Sequence, residues 1–434
     1  MRSFLDRRSS ASAEHLDPAL TERTHFAYLD GVRGVMALFV VCAHAYWNVW
    51  PLEYGERPSA QLRPWLSPLL YSRFAITVFI VLSAYCLSLA VIRNGGVLRR
   101  GAAGFYRGRA RRVLPPFYAG VALSLVLIWT VIGNDTGTHW DIDVPVSWDG
   151  YVGNLLLVQN VVGESQMNAA YWSIGAEIQL YLIFPLLVLL WRRVGIFSST
   201  AVAVAGGFVG VFLLEQVRDH GHQLPAAAPV FLALFGLGML GAAISFSDDP
   251  RLSALRERVP WIPLGVVFAA TIAWLDWHWS FAEALQNFAY LDFLGGLATL
   301  SFIVAASRAR PSRLRSVLGL RPLAILGTFS FSIYLVHLPL LQVERQYAVN
   351  RLDLSKPMTF FAMVTFGAAA IVGFAYLFHR AFERPFMSSR QRRAADGEFV
   401  ETGSPPARPE PSPSGAAGGP QAVGEASVAP DTGS

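Results

Sequence analysis

Lysine is nearly missing from this chain. Lys356 is the only one, so almost all of its 35 basic residues are arginine. That bias is a statement about codons and fits a GC-rich bacterial genome. Cysteine is as scarce. Cys42 and Cys86 both fall inside apolar runs, where they read as small buried residues and not as a disulfide or metal pair. No Cys/His cluster has zinc spacing, and there is no glycine-rich phosphate loop. Neither a metal centre nor a bound cofactor is expected, and no nucleic-acid partner. Residues 1–27 are polar and contain arginine, without the apolar core or small-residue cleavage site of a secretory signal.

Charge is sparse, at 15%, and apolar residues abound, at 53% with a mean hydropathy of +0.40. Repeated apolar runs of about 17–22 residues imply an all-α, polytopic integral membrane bundle. Ten spans are expected, near 29–48, 74–92, 117–133, 171–190, 197–214, 229–246, 261–277, 287–306, 323–342 and 358–378. Arginine sets the orientation. The segments 93–116, 307–322 and 379–393 are arginine-rich, whereas 134–170 carries Asp135, Asp141, Asp143, Asp149 and Glu164 with no Lys or Arg. By the positive-inside rule the basic loops and both termini are cytoplasmic, which places a multi-pass protein in the plasma membrane. Three regions follow: a cytoplasmic N-terminal segment (1–27), a transmembrane domain (28–387) and a tail (388–434). The tail is rich in Pro, Gly, Ser and Ala. It has too little apolar surface to offset ordering entropy and reads as disordered.

The first span is unusual. Leu29–Ala45 reads LDGVRGVMALFVVCAHA and carries Asp30, Arg33 and His44 within an apolar run. On a helix, Arg33 and His44 are about three turns apart and share one side, separated by ~16 Å along the axis. A charge near a span's centre costs roughly 2.5–3.5 kcal/mol on insertion, so such residues face a bundle interior or a polar cavity. The bland alternative is an arginine snorkelling to headgroups and a histidine bonded to a neighbouring helix.

The L-D-G-x-R-G sequence and its Arg-x10-His spacing resemble the first transmembrane helix of the membrane-bound acyltransferase-3 family, which O-acylates sugars, surface glycans and some antibiotics. Three further stretches carry the resemblance. Val78–Ser88 is similar to the family's FFVLSGF segment through Ser83, with Ala84 for Gly, Tyr85 for Phe and Thr77 where many members have Asp. Ala170–Leu187 resembles W-S-L-x-x-E-x-x-F-Y-x-x-x-P through Trp172, Ser173, Glu177, Tyr181 and Pro185, with Leu180 at the usual aromatic position. Leu326–Leu341 resembles G-x-x-S-Y-x-x-Y-L-x-H through Tyr334 and His337, with Phe331 for the first Tyr. His337 is read either as a bonded core histidine or as a catalytic group. Glu383, in a terminal E-x-P, reads as structural, and Asp292 falls inside a span with no motif of its own.

The resemblance implies an enzyme that takes an acyl group from acyl-CoA, with acetyl-CoA the expected co-substrate, and gives it to a hydroxyl of a carbohydrate or glycoconjugate. Arg107, Arg109, Arg111 and Arg112 offer forked, permanently charged donors suited to the phosphates of coenzyme A, though arginines here also serve topology. Pro115-Pro116 would start the third span. Arg33 lies on the donor side. His44, Glu177 and His337 fall at similar depths in the outer half, so a single polar shaft is expected, with arginines at its inner mouth. His44 would be the base and Glu177 would orient it, or His44 would carry the acyl group. Two alternatives stand beside this: a macrolide-like natural product as acceptor, and a proton-coupled transporter built from the same buried charges.

Overall fold

The computed structural model describes residues 18–142, 144–162, 167–219, 228–308 and 313–387. Apart from 18–27, which belong to the first helix, the N-terminal segment and the 388–434 tail lie outside the described residues. The chain is helical nearly throughout. In order come α1 (Pro18–Val49), α2 (Arg73–Arg93), α3 (Gly101–Leu127), α4 (Trp148–Leu156) and α5 (Trp172–Val194). Then follow α6 (Ile196–Asp219), α7 (Phe231–Phe246), α8 (Trp261–His278) and α9 (Phe288–Ser307). The last are α10 (Arg321–Thr328), α11 (Ser330–Glu344) and a run at Lys356–Phe386, here α12.

Among the described residues, seven helices are long and apolar enough to cross a membrane, or nine if each of two bent pairs counts as one span. The expected ten is therefore approximate. α8, the segment behind the seventh expected span, is helical but carries Trp261, Trp274, Trp277, Asp276 and His278, which dilute its apolar character, and it is not among the nine. The bundle is apolar outside and polar inside. Leu182, Leu186, Phe212 and Phe366 are exposed, while Asn48, Thr77, Asp292, His337, Gln342 and Glu383 are buried. This inversion is what a lipid-facing surface requires.

Two expectations are corrected. The arginine-rich stretch is not a loop before the third span, because α3 begins at Gly101 and carries all four arginines on helix. Pro115 and Pro116 consequently lie inside α3 and not at its start. The two prolines leave the carbonyls of Arg111 and Arg112 without their usual helical donors, beside the basic end where polar groups can replace them. The span expected at 323–342 is also broken. α10 and the helix that follows it meet at 76°, because Phe329 leaves the helical region with φ −123° and ψ 21°.

That bend has a structural purpose on α1. α10 crosses α1 at the glycines of the L-D-G-x-R-G stretch, and no side chain fits between. A Cβ on Gly327 would sit 1.8 Å from the Asp30 carbonyl oxygen, and one on Gly34 would sit 2.4 Å from that of Leu323. The glycines let the backbones touch, which fixes the height of Arg33. From the bend, α11 runs on beside α1 and brings His337 to His44.

A second buried cluster braces α2, α5, α7 and α9. Asp292 accepts from Arg73 Nε at 2.7 Å and from Thr77 Oγ1 at 2.9 Å. The Arg73 guanidinium also lies 5.1–5.2 Å from the rings of Trp172, Phe231 and Phe288. Asp292 is thereby paired, as a buried carboxylate must be, and Thr77 serves it.

Candidate active site

α1, α2, α3, α5 and α11 line a cavity of about 980 Å³. Its arginine end is lined by Arg93, Arg99, Arg100, Arg109 and Arg112, with Arg33 contributed by α1. Helical geometry sorts the four arginines of α3. Phe105, Arg109 and Arg112 recur at spacings of four and three and share the face that lines the cavity. Arg107 and Arg111 are exposed and do not line it. Of the expected donor group, Arg33, Arg109 and Arg112 are therefore brought together. Arg93 joins them from the end of α2, and Arg99 and Arg100 from the α2–α3 connection, where they had served only as a topology signal.

Several of the inward charges have defined neighbours. Arg33 Nη1 donates to Asp30 at 2.7 Å, and its Nη2 lies 3.1 Å from Cys86 Sγ. Arg112 lies 3.6 Å from Glu383. Glu383 also accepts from Ser332 at 2.7 Å and sits 2.8 Å from His379 Nδ1. Its structural reading thus extends to holding Arg112 at the cavity wall. Glu177 lines the same cavity and accepts from Ser83 at 2.8 Å and from Tyr181. Arg109 lies over the Tyr181 ring at 5.9 Å. Ser173 and Tyr334 close the far wall, their hydroxyls 2.7 Å apart. Trp172 stands apart from the cavity, against Phe231 and Arg73.

His44 does not line this cavity. The single shaft expected from depth alone resolves into two cavities; Tyr334 lines the large one and packs on His337 with ring centroids 5.6 Å apart, and Phe79 packs on Tyr334 at 6.4 Å. His44 lines a second cavity of about 10 Å³ with Asn48, His139, Trp140, Leu338 and Leu341. The expected partnership of His44 with Glu177 is not made, because the carboxylate is taken by Ser83 and Tyr181. The imidazole's partner is His337.

This pair fixes which nitrogen can act. His337 is fully buried, and its Nδ1 lies 2.8 Å from the Tyr334 carbonyl and 3.2 Å from that of Ile333. A carbonyl only accepts, so Nδ1 carries the proton and Nε2 is an acceptor. That Nε2 lies 3.1 Å from His44 Nδ1, which is also 3.0 Å from the Val40 carbonyl. His44 Nδ1–H therefore donates, and the lone pair of neutral His44 is on Nε2. Such an arrangement can serve as a base held in one tautomer by a bonded partner.

Fold and site together define a multi-pass helical membrane protein with an arginine-lined cavity and a bonded histidine pair. The chain belongs to the acyltransferase-3 family, whose model, described as an acyltransferase domain, matches residues 26–380, and it is an enzyme that transfers acyl groups. It is similar to Nodulation protein 10 of Rhizobium leguminosarum bv. viciae, 23% identical over 333 residues, covering 70% of this chain and 81% of that protein. It is similar also to Acyltransferase MdmB of Streptomyces mycarofaciens, 25% identical over 343 residues, covering 74% and 82%. A third relative is Peptidoglycan O-acetyltransferase OatA of Listeria monocytogenes serovar 1/2a, 25% identical over 388 residues. There the match covers 84% of this chain but 57% of the relative. No solved structure matches the chain.

Proposed function

We propose that this enzyme moves a short acyl group, acetyl in the simplest case, from acyl-CoA to a hydroxyl of a carbohydrate or glycoconjugate. The observation that carries the reading is the 980 Å³ cavity with six arginines at one end and the histidine pair beyond the other. Coenzyme A presents several phosphate charges on one end of a long, thin arm. Phosphates suit the forked donors of Arg93, Arg99, Arg100, Arg109 and Arg112. In the orientation set by the basic segments, that end faces the cytoplasm, where acyl-CoA is made. The pantetheine arm would lie along the wall of Ser83, Tyr181 and Tyr334, pointing the thioester toward the Tyr334–Phe79 layer. The peptidoglycan O-acetyltransferase among the relatives supports both the acetyl group and a glycan acceptor. A polyhydroxylated natural product would present the same hydroxyl chemistry.

The step balances without further reactants. An acceptor hydroxyl oxygen attacks the thioester carbonyl while His44 Nε2 takes the hydroxyl proton. The tetrahedral intermediate expels the coenzyme A thiolate, which collects that proton from the His44 cation. His337 Nε2 accepts from His44 Nδ1–H throughout and holds the ring. The test uses purified protein in lipid nanodiscs with labelled acetyl-CoA and a sugar acceptor. Thiol release with label on the sugar is expected. Thiol release absent under every condition would refute the reading and favour a transporter.

A further inference from the structure

The large cavity changes character along its length, and the acyl-transfer scheme leaves its far end unassigned. α2 shows the change in order. Arg93, Ala90, Leu87, Ser83, Ile80 and Ile76 all line the cavity and recur every three or four residues, which is one stripe of a helix. The stripe spans ~25 Å along the axis and passes from a guanidinium, through one hydroxyl, to bare hydrocarbon. Ile174 of α5 reaches the same far end. Its neighbour Ser173 bonds Tyr334, and Tyr334 packs on Phe79 at 6.4 Å. Ile76, Ile80 and Ile174 are buried, so they form a fixed wall.

Two polar groups stand at this end, and both have spent their protons. Tyr334 OH donates to the Ala170 carbonyl at 2.7 Å. The Ser173 hydroxyl then donates to Tyr334 at 2.7 Å or to the same carbonyl at 3.3 Å. The cavity's cations lie well inward. Arg109 is over Tyr181, which is seven residues and roughly 10 Å further in than Ile174 on α5. Arg73, one turn past Ile76, is paired with Asp292 and does not line the cavity. A carboxylate brought to this end would meet neither a cation nor a free donor.

Length follows from the helix. Phe79 and Tyr334 mark the height toward which the thioester points. Ile76 lies three residues further along α2, or ~4.5 Å. A zigzag chain of ~1.5 Å bonds advances roughly 1.2 Å per carbon, which leaves room for about three carbons beyond the thioester carbonyl. We propose that the far end is an acyl cup. It takes unsubstituted acyl chains of up to about four carbons, binds butyryl in preference to acetyl, and rejects carboxylated groups such as succinyl. Ile76 sets its length. The proposal rests on the reading of the cavity as the acyl-CoA site.

The test uses the full-length protein in nanodiscs with labelled acetyl-CoA, displaced by unlabelled acetyl-, butyryl-, hexanoyl- and succinyl-CoA. Displacement needs no acceptor, so it is independent of which hydroxyl is acylated. Butyryl-CoA is expected to bind about tenfold more tightly than acetyl-CoA, since each buried methylene contributes about fourfold. Hexanoyl-CoA overruns the cup and should lose that gain. Succinyl-CoA should bind at least about tenfold more weakly than acetyl-CoA. Ile76→Phe shortens the cup and should remove the butyryl advantage, with acetyl-CoA affinity within about twofold. Ile76→Ala lengthens it and should extend the advantage to hexanoyl-CoA. Leu186→Ala, on the exposed face of α5, is the control and keeps the wild-type order. Should Ile76→Phe fail to fold, Ile76→Ala alone decides. Equal affinity of the wild type for acetyl- and butyryl-CoA would overturn the cup while leaving the donor site standing. So would succinyl-CoA binding as well as acetyl-CoA, or wild-type order in Ile76→Ala. If labelled acetyl-CoA does not bind at all, the donor reading beneath the cup falls, and the cup with it.

Discussion

The two cavities solve different problems with different means. The large one presents six arginines, contributed by α1, α2, α3 and the α2–α3 connection, over a wall of apolar residues such as Ile80, Leu87 and Phe184. Binding several phosphates requires charge density more than exact placement, so it tolerates arginines on a connection beside arginines on a helix. The small cavity holds no arginine. It is built from single atoms: one imidazole tautomer, one indole N–H, one amide oxygen. Proton transfer requires a base placed to a fraction of an ångström, and the bond from His44 Nδ1 to His337 Nε2 fixes the ring accordingly. On the proposed reading, a diffuse electrostatic site and a precise chemical one share one bundle, with Tyr334 lining the first and packed on His337 of the second.

The sharpest way to break this contrast is at the base. His44→Ala is expected to lose at least about a hundredfold in turnover, and His44→Gln nearly as much, because glutamine cannot accept the proton. Next in size is a packing effect that spares the chemistry. Gly327→Ala drives a methyl group against the Asp30 backbone, so α10 must move off α1. The yield of folded protein in detergent is expected to fall severely. Normal yield would show that the crossing is looser than its geometry. The arginines give a smaller, directional effect. Arg109→Gln with Arg112→Gln should raise the acetyl-CoA KM by about tenfold or more, whereas Arg107→Gln with Arg111→Gln should barely change it. Equal effects of the two pairs would mean that the cavity face does not select the donor.

The smallest effect concerns Asp141, which clamps the segment carrying His139 and Trp140 beside the small cavity. Burial alone would raise the Asp141 carboxyl, but hydrogen bonds from Thr136, Tyr54 and Gly137 outweigh it and hold the group below the usual carboxylate range. A depressed folded value means the clamp's contribution is complete above the unfolded value, about 3.9, and is lost as pH falls through the folded one. Amide protection at Thr136 and Gly137, corrected for intrinsic exchange, should be flat from about pH 5 to 8 and decline only below about pH 4. Decline already near pH 6 would place the control elsewhere.

Much of the diffuse site was legible in the sequence, and much of the precise one was not. Arg33 and His44 stand out because ionisable residues in an apolar run are rare and expensive, and Glu177 stands out for the same reason. The division of Arg109 and Arg112 from Arg107 and Arg111 follows from helical spacing once the segment is read as helix; reading it as a loop concealed the division. Tyr181, one turn beyond Glu177, was a readable partner. Ser83 and His337 were not readable as partners, because their contacts to Glu177 and His44 span 94 and 293 residues and depend on how helices cross. Similar depth in the membrane suggested that His44 meets Glu177. Depth fixes one coordinate only, and rotation about each helix axis sent the two side chains to different compartments. Asn48, Trp140 and Gln342 give no sequence signal, since polar residues near span ends are ordinary.

The central claim is that donor binding and proton transfer occupy separate compartments, and the affinity of purified His44→Gln for labelled acetyl-CoA tests it most directly. The expected result is a Kd within about twofold of wild type alongside turnover reduced at least about a hundredfold. Loss of donor binding in parallel with turnover, in a protein that is folded, would put His44 inside the donor site and contradict the division.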